Sequence, residues 1–350
     1  MSWNGVIAQY RELIDLPHNA PVVTLLEGNT PLIPLPGVAK LLGKGVSLHA
    51  KFEGLNPTGS FKDRGMTVAI SEAAGRKVQS VICASTGNTA ASAAAYAARL
   101  GIKCIVLIPQ GKVAMGKLAG ALAYGARVLQ VDGSFDDALT MVVQLSQKHS
   151  IALVNSLNPF RLEGQKTGAF EICDAQGKAP DWFCLPVGNA GNITSYWMGF
   201  RQYHTLKKTG LPRILGVQAE GSAPLVLGHP VEHPETVATA IRIGKPARGE
   251  QALEAAQESG GKIIAVSDQT ILAMQAMLAA EGLWVEPASA AGIAGLLHEV
   301  RNNHLVLDGQ SVVTICTGHG LKDPDIITRR APAILLLPPE LTALEKALLA

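Results

Sequence analysis

Short runs of β-branched and apolar residues alternate along the chain with longer Ala/Leu-rich stretches that repeat at the helical period. The short runs predict strands over Val46–Phe52, Ser80–Ala84, Lys103–Ile108, Arg127–Val131, Ala152–Val154, Trp182–Pro186, Arg213–Gln218, Lys262–Val266 and Ser311–Cys316. The longer stretches predict helices over Lys62–Gly75, Thr89–Leu100, Met115–Tyr124, Phe135–Lys148, Glu163–Asp174, Ile193–His204, Asp268–Ala280 and Pro287–Glu299. Such alternation gives mainly parallel sheets flanked by helices on both faces. At 350 residues, two sheets in two lobes suit the length better than one. The expected fold class is therefore α/β, with a smaller domain over about residues 50–156 and a larger one from about 1–49 plus 157–350. Gly221–Gly261, with prolines at 224, 230, 234 and 246 and weak periodicity, predicts a long surface excursion or lid.

Composition narrows the function classes. Thirty Lys+Arg against 28 Asp+Glu leave a formal net charge of +2, too little to make nucleic acid or an anionic membrane the main partner. Charged residues are only 17%, which suits a large, well-covered interior. Ala90 to Ala98, the longest small-apolar segment, is far short of the ~20 residues of a membrane span. Met1 to Pro17 lacks the basic head, apolar middle and cleavage site of a secretory signal. Cys83, Cys104, Cys173, Cys184 and Cys316 show no C-x-x-C spacing and mostly sit in apolar runs. They are expected to be reduced core residues of a cytoplasmic protein.

In open parallel α/β folds, ligands bind where strands run into helices, and three such junctions are unusual. The first is Asn56-Pro57-Thr58-Gly59-Ser60-Phe61-Lys62-Asp63-Arg64-Gly65. Ser60 and Asp63 fit a capping box that starts a helix at about Phe61, with Arg64 left for surface pairing. Lys62 then faces the positive end of the helix dipole, where structure alone prefers an anion. Dipole and desolvation both favour the neutral amine that an imine-forming lysine needs. Taken alone, the motif favours a solvated lysine that tolerates a mild penalty.

At the second junction, Ser85, Thr86, Gly87, Asn88 and Thr89 follow a strand and open a helix. Free N–H groups at that helix start, with the three hydroxyls, make a carboxylate socket. Simple N-capping would need only one such residue. The third junction is Gly188-Asn189-Ala190-Gly191-Asn192, where two glycines let successive N–H groups converge on one phosphate. A plain tight turn would use the same glycines. No G-x-G-x-x-G is present, so the cup suits a monophosphate and not a dinucleotide. An imine-forming lysine, a carboxylate socket and a monophosphate cup together describe pyridoxal 5′-phosphate acting on an amino acid.

Two other patterns compete. Gly111 to Leu118 nearly matches a P-loop, but Leu118 stands where Ser or Thr must bind magnesium. His229 and His233 are four apart, yet Pro230 and Pro234 spoil a metal-binding helix. No metal site is expected.

The stretch Lys51 to Gly65, the Ser85–Thr89 loop, Gly188–Asn192 and Thr317-Gly318-His319-Gly320-Leu321-Lys322-Asp323-Pro324 resemble the threonine synthase family. So do Glu27 to Leu32 and Val154 to Pro159. These are fold-type-II pyridoxal-phosphate enzymes, related in fold to tryptophan synthase β, and the resemblance runs from about Pro31 to Asp325. It implies that Lys62 forms the internal imine and later moves protons. Asn88 would meet the cofactor's 3′-oxygen, Gly188 through Asn192 its phosphate and Thr317 its pyridine nitrogen. Ser85, Thr86 and Thr89 would hold the substrate carboxylate. The implied reaction turns O-phospho-L-homoserine and water into L-threonine and phosphate, the last step of threonine biosynthesis, in a homodimer. The substrate phosphate needs its own partner, and Arg161 with Asn155, Ser156 and Asn189 is the expected set, since a guanidinium fork matches a phosphate. His319 departs from the Asn that relatives often carry in the Thr-Gly-x-Gly turn. Whether Glu286 does more than cap a helix stays open. A threonine or serine dehydratase with the same cofactor is the alternative reading.

Overall fold

The computed structural model describes residues 2–85, 87–110, 115–133, 135–329 and 334–349. Among these residues ten strands run in chain order: β1 (Leu32–Pro34), β2 (Ser47–Phe52), β3 (Ser80–Ala84), β4 (Lys103–Pro109), β5 (Arg127–Val131), β6 (Ile151–Leu153), β7 (Trp182–Pro186), β8 (Arg213–Ala219), β9 (Lys262–Val266) and β10 (Ser311–Cys316). They form a six-stranded sheet of order β1-β2-β10-β7-β8-β9 and a four-stranded sheet of order β5-β4-β3-β6. Every pairing is parallel except β1 with β2.

The expected strands appear within a residue or so of their sequence bounds. β1, only three residues long and ending in proline, carries too short a pattern to announce itself. It occupies an edge, the one place in a sheet where a strand proline is tolerated.

Period-two alternation sends successive side chains to opposite faces. Val81 and Cys83 of β3 pack in one apolar cluster and Ile82 and Ala84 in another. In the larger sheet, Val312 and Cys316 join one face while Val313 and Ile315 join the other. Helices cover both faces, so these strands read as continuous apolar runs. All five cysteines are free and buried, as their apolar runs foretold.

Two of the expected segments differ in the structure. The helix predicted over Glu163–Asp174 is two helices, Pro159–Gln165 and Thr167–Gln176. Its start moves upstream because the Asn158 side chain accepts the Phe160 N–H at 2.9 Å and Pro159 takes the first helical position, both favoured there. The segment Gly221–Gly261 is more than a surface excursion. Ala238 and Ile241 enter the core beside the larger sheet, and Gly249–Glu258 forms a helix burying Ala252, Ala255 and Ala256. His229 and His233 are exposed there, and no metal-binding cluster occurs among the described residues. No helix among them is long and apolar enough to cross a membrane.

Candidate active site

Four strand ends converge. β2, β7 and β10 are parallel members of the larger sheet, so Lys62, Gly188–Asn192 and Thr317 follow carboxyl ends on one side of it. The end of β3 brings Asn88 to meet them across the gap between the sheets. The Phe61 N–H donates to the Thr317 carbonyl at 3.0 Å, which sets Lys62 beside the β10 end. Asn88 and Thr317 both donate to Glu286, at 3.0–3.1 and 3.3 Å.

Lys62 is the first residue of the helix Lys62–Gly75, with its Nζ 3.8 Å from the Phe61 ring centroid. Burial, helped by the Arg161 guanidinium and opposed by Glu286, lowers the ammonium pKa to about 7. The amine is therefore poised between its charged and nucleophilic forms, as expected of an imine-forming group.

The capping box does not form. Among the described residues the helix start has no side-chain cap, and the buried Ser60 hydroxyl has no partner. Asp63 is fully buried and accepts instead from the Thr58 N–H and hydroxyl (2.7 and 2.6 Å) and from Ser92 (2.6 Å). It therefore ties the loop before Lys62 to the helix Asn88–Leu100. Arg64 is also buried and pairs with nothing at the surface. It is clasped by Glu53 (Nε to Oε2, 2.6 Å) and Glu171 (Nη1 to Oε1, 2.6 Å), with Lys51 on the other Glu171 oxygen at 2.7 Å. Burial alone would raise the Glu171 carboxyl; Arg64 and Lys51 overcome it and hold the pKa at about 2. Sequence reading missed this four-residue network, whose one visible trace was an Asp-Arg pair inside a helix otherwise rich in small residues.

Arg161 is 1% exposed, on the short helix Pro159–Gln165 beside the Lys62 helix. One Nη donates to the Val154 carbonyl at 2.7 Å, Nε has no partner, and no carboxylate pairs with the group among the described residues. Burial lowers its pKa to about 10, with Cys83 and Asp63 opposing. Such a cation lacks only an anion. Asn155 spends its amide on the end of β3, accepting from Ala84 N–H and donating to Ala84 C=O, both at 2.9 Å. It therefore braces the Ser85 loop. Ser156 turns its carbonyl to Arg248 at 3.2 Å.

The Ser85 hydroxyl accepts the Gly87 N–H at 3.3 Å, and Thr89 lies in the first turn of a helix that no side chain among the described residues caps. Helix-start N–H groups are thus left for a ligand, while Thr86 lies outside the described residues. In the expected phosphate cup, no N–H from Gly188 to Ile193 goes to a backbone carbonyl among the described residues. The expected role of its glycines changes. Neither Gly188 nor Gly191 has positive φ; the left-handed residue is Ala190, at φ 65°. Gly188 is small for another reason: a Cβ there would stand 3.0 Å from Ile241 Cα. Of the Gly111–Leu118 pattern, residues 111–114 lie outside the described set. Lys117 is spent on Asp323 and Thr239, both at 2.9 Å.

The sequence matches the family described as pyridoxal-phosphate dependent enzyme over residues 23–318. A threonine synthase of Synechocystis is 59% identical over 92% of this chain and 84% of its own. That of Halalkalibacterium halodurans is 55% identical over 92% and 91%, and that of Methanocaldococcus jannaschii 49% over 97% and 86%. The chain belongs to the threonine synthase family. The fold of this family member also superposes on maize serine racemase (TM-score 0.74, 20% identity, 87% of this chain and 92% of the other). It matches a tomato threonine deaminase as well (TM-score 0.72, 23% identity, 88% and 89%), so the architecture is that of fold-type-II pyridoxal-phosphate enzymes. The threonine synthase cofactor fits what the site offers. There is an amine near neutrality, a row of unspent N–H groups at a helix start, and a hydroxyl at Thr317 held 2.8 Å from Ser289.

Proposed function

We propose that the chain converts O-phospho-L-homoserine and water into L-threonine and phosphate, with pyridoxal phosphate on Lys62, by β,γ-elimination and replacement. The observation that carries this reading is Arg161, a buried guanidinium next to the Lys62 helix with a free Nε and, among the described residues, no carboxylate. A dehydratase-type lyase has no second phosphate to hold and no use for it. The relatives at 49–59% identity are named threonine synthase, whereas the racemase and deaminase likenesses, at 20–23%, speak for the fold alone.

When bound, the cofactor supplies an electron sink for carbanion chemistry at Cα. The rest falls to the chain. Lys62 Nζ takes the proton from substrate Cα and returns protons later, which its intermediate basicity allows in both directions. Ser85, Thr86 and Thr89, with the N–H groups of their helix start, orient the substrate carboxylate. Arg161 holds the leaving phosphate through a bidentate fork, with Asn155, Ser156 and Asn189 around it. Gly188 through Asn192 cradle the cofactor phosphate, Asn88 donates to the 3′-oxygen, and Thr317 meets the ring nitrogen as a neutral hydroxyl. The domains divide near residues 50 and 156, and the enzyme works as a cytoplasmic homodimer.

Borohydride reduction and peptide mass spectrometry test the anchor: the cofactor adduct is expected on Lys62, and an adduct elsewhere overturns the reading. For the substrate, Arg161→Ala is expected to lose phosphohomoserine turnover by at least about a hundredfold, the worth of one charged phosphate contact, while the visible cofactor band persists. Unchanged turnover removes Arg161 from the site.

A further inference from the structure

Glu286 stands at the start of the helix Pro287–Arg301, but its side chain makes no capping hydrogen bond. It is 3% exposed, and no cation pairs with it directly among the described residues. A carboxylate buried without an ion pair is costly, so its partners need explaining. Both oxygens accept from Asn88 Nδ2, at 3.1 and 3.0 Å, and Oε1 also faces the Thr317 hydroxyl at 3.3 Å. Asn88 comes from the four-stranded-sheet side and Thr317 from the end of β10, so the carboxylate spans the cleft. Gly318 makes room for it, since a Cβ there would stand 2.5 Å from Oε1. Burial raises the Glu286 pKa above the ordinary carboxylate value, while the Asn88 hydrogen bonds, Lys62 and Lys322 from further off, and Thr317 favour the charged form that those bonds require.

An ionised carboxylate only accepts hydrogen bonds, while a side-chain amide has a donating and an accepting end. Glu286 therefore dictates which end of Asn88 faces it. One amide proton goes to the carboxylate and the second is left to point elsewhere. A neutral amide at position 286 would accept either end of Asn88 and lose that discrimination. We propose that Glu286 is a positioning residue that fixes the Asn88 amide with its remaining N–H toward the phenolic oxygen of bound pyridoxal phosphate. This rests on the reading of Asn88 as a cofactor contact.

The test uses the holoenzyme, the nearly isosteric Glu286→Gln, Asn88→Asp, and the pair combined. Cofactor dissociation constants, the position of the visible band and thermal midpoints are measured for each. Glu286→Gln is expected to weaken cofactor binding about tenfold, as for one well-made hydrogen bond, and to move the band while the midpoint barely changes. The double variant restores a donor–acceptor pair in reverse, so the cleft tie and the midpoint return. The carboxylate it carries at position 88 has no N–H to offer, so affinity is not rescued. If the double variant regains parental affinity, Glu286 is only a tie and the proposal falls. It also falls if Glu286→Gln matches the parent in affinity and band. A parent that takes up no pyridoxal phosphate on Lys62 overturns the cofactor reading and this inference with it.

Discussion

Lys62 and Arg161 are two cations brought together with Glu286 to offset them, and their setting makes the residue chemistry measurable. In cofactor-free protein the Lys62 amine titrates near 7, lowered by burial and then by Arg161. At pH 8 about nine-tenths of it is neutral, and at pH 6 about a tenth. Cofactor uptake should therefore quicken through pH 7 as the neutral amine accumulates, which stopped-flow absorbance would follow. A rate flat from pH 6 to 8 would contradict the local field described here. Arg64 makes the opposite kind of prediction. Replacing it by Met leaves Glu53 and Glu171 buried without their main partner, and urea unfolding should show a loss of about 3–5 kcal/mol. The Glu171 carboxyl, held at about 2 against 4.5 in the unfolded chain, contributes stability above pH 4.5 that disappears as pH falls toward 2. Acid titration of Arg64→Met should be correspondingly shallower over that window.

At the level of elements, the Lys62 helix and the Pro159–Gln165 helix approach through glycine. A Cβ on Gly164 would overlap the Arg64 carbonyl, and one on Gly65 would come within 2.6 Å of the Arg161 carbonyl. Backbone cannot swing aside as a side chain does, so Gly164→Ala should cost about 1–3 kcal/mol and displace Arg161 from Lys62. Differential scanning calorimetry and phosphohomoserine KM would report the two effects. Much of this was readable beforehand. The ends of β3, β5, β9 and β10 fall where an apolar run gives way to Ser85, Asp132, Ser267 and Thr317, and Lys62 stood out because a cation is misplaced at a helix start. What escaped was non-local. Ser60 and Asp63 have the right spacing for a cap, but Thr58 and Ser92 compete for the carboxylate, and nothing in the local sequence ranks those partners. Likewise the glycines of the expected phosphate cup marked the turn, while the left-handed residue there is Ala190 and Gly188 sits close against Ile241.

Across the whole molecule, the two sheets are joined by polar ties over the cleft. Lys117, from the helix Met115–Ala123 beside the smaller sheet, reaches Asp323 and Thr239 on the other side. The pair is partly exposed, so Lys117→Met should move the melting temperature by only about a degree or two. Hydrogen exchange in 115–123 should nevertheless accelerate, since a hold between the halves is gone. The proposed homodimer predicts a sedimentation mass near twice the monomer. The position of β10 carries a different consequence. It lies between β2 and β7 in space but follows both in the chain, and it alone connects the β1–β2 pair to the other strands of its sheet. A nascent polypeptide still on the ribosome can pair β3 with β4, β5 and β6, yet must hold β1 and β2 apart from β7, β8 and β9 until residue 316 has emerged. Messages truncated before that codon should yield insoluble or degraded product, with no colour and no residual activity, even though Lys62, the proposed cofactor anchor, was translated hundreds of codons earlier.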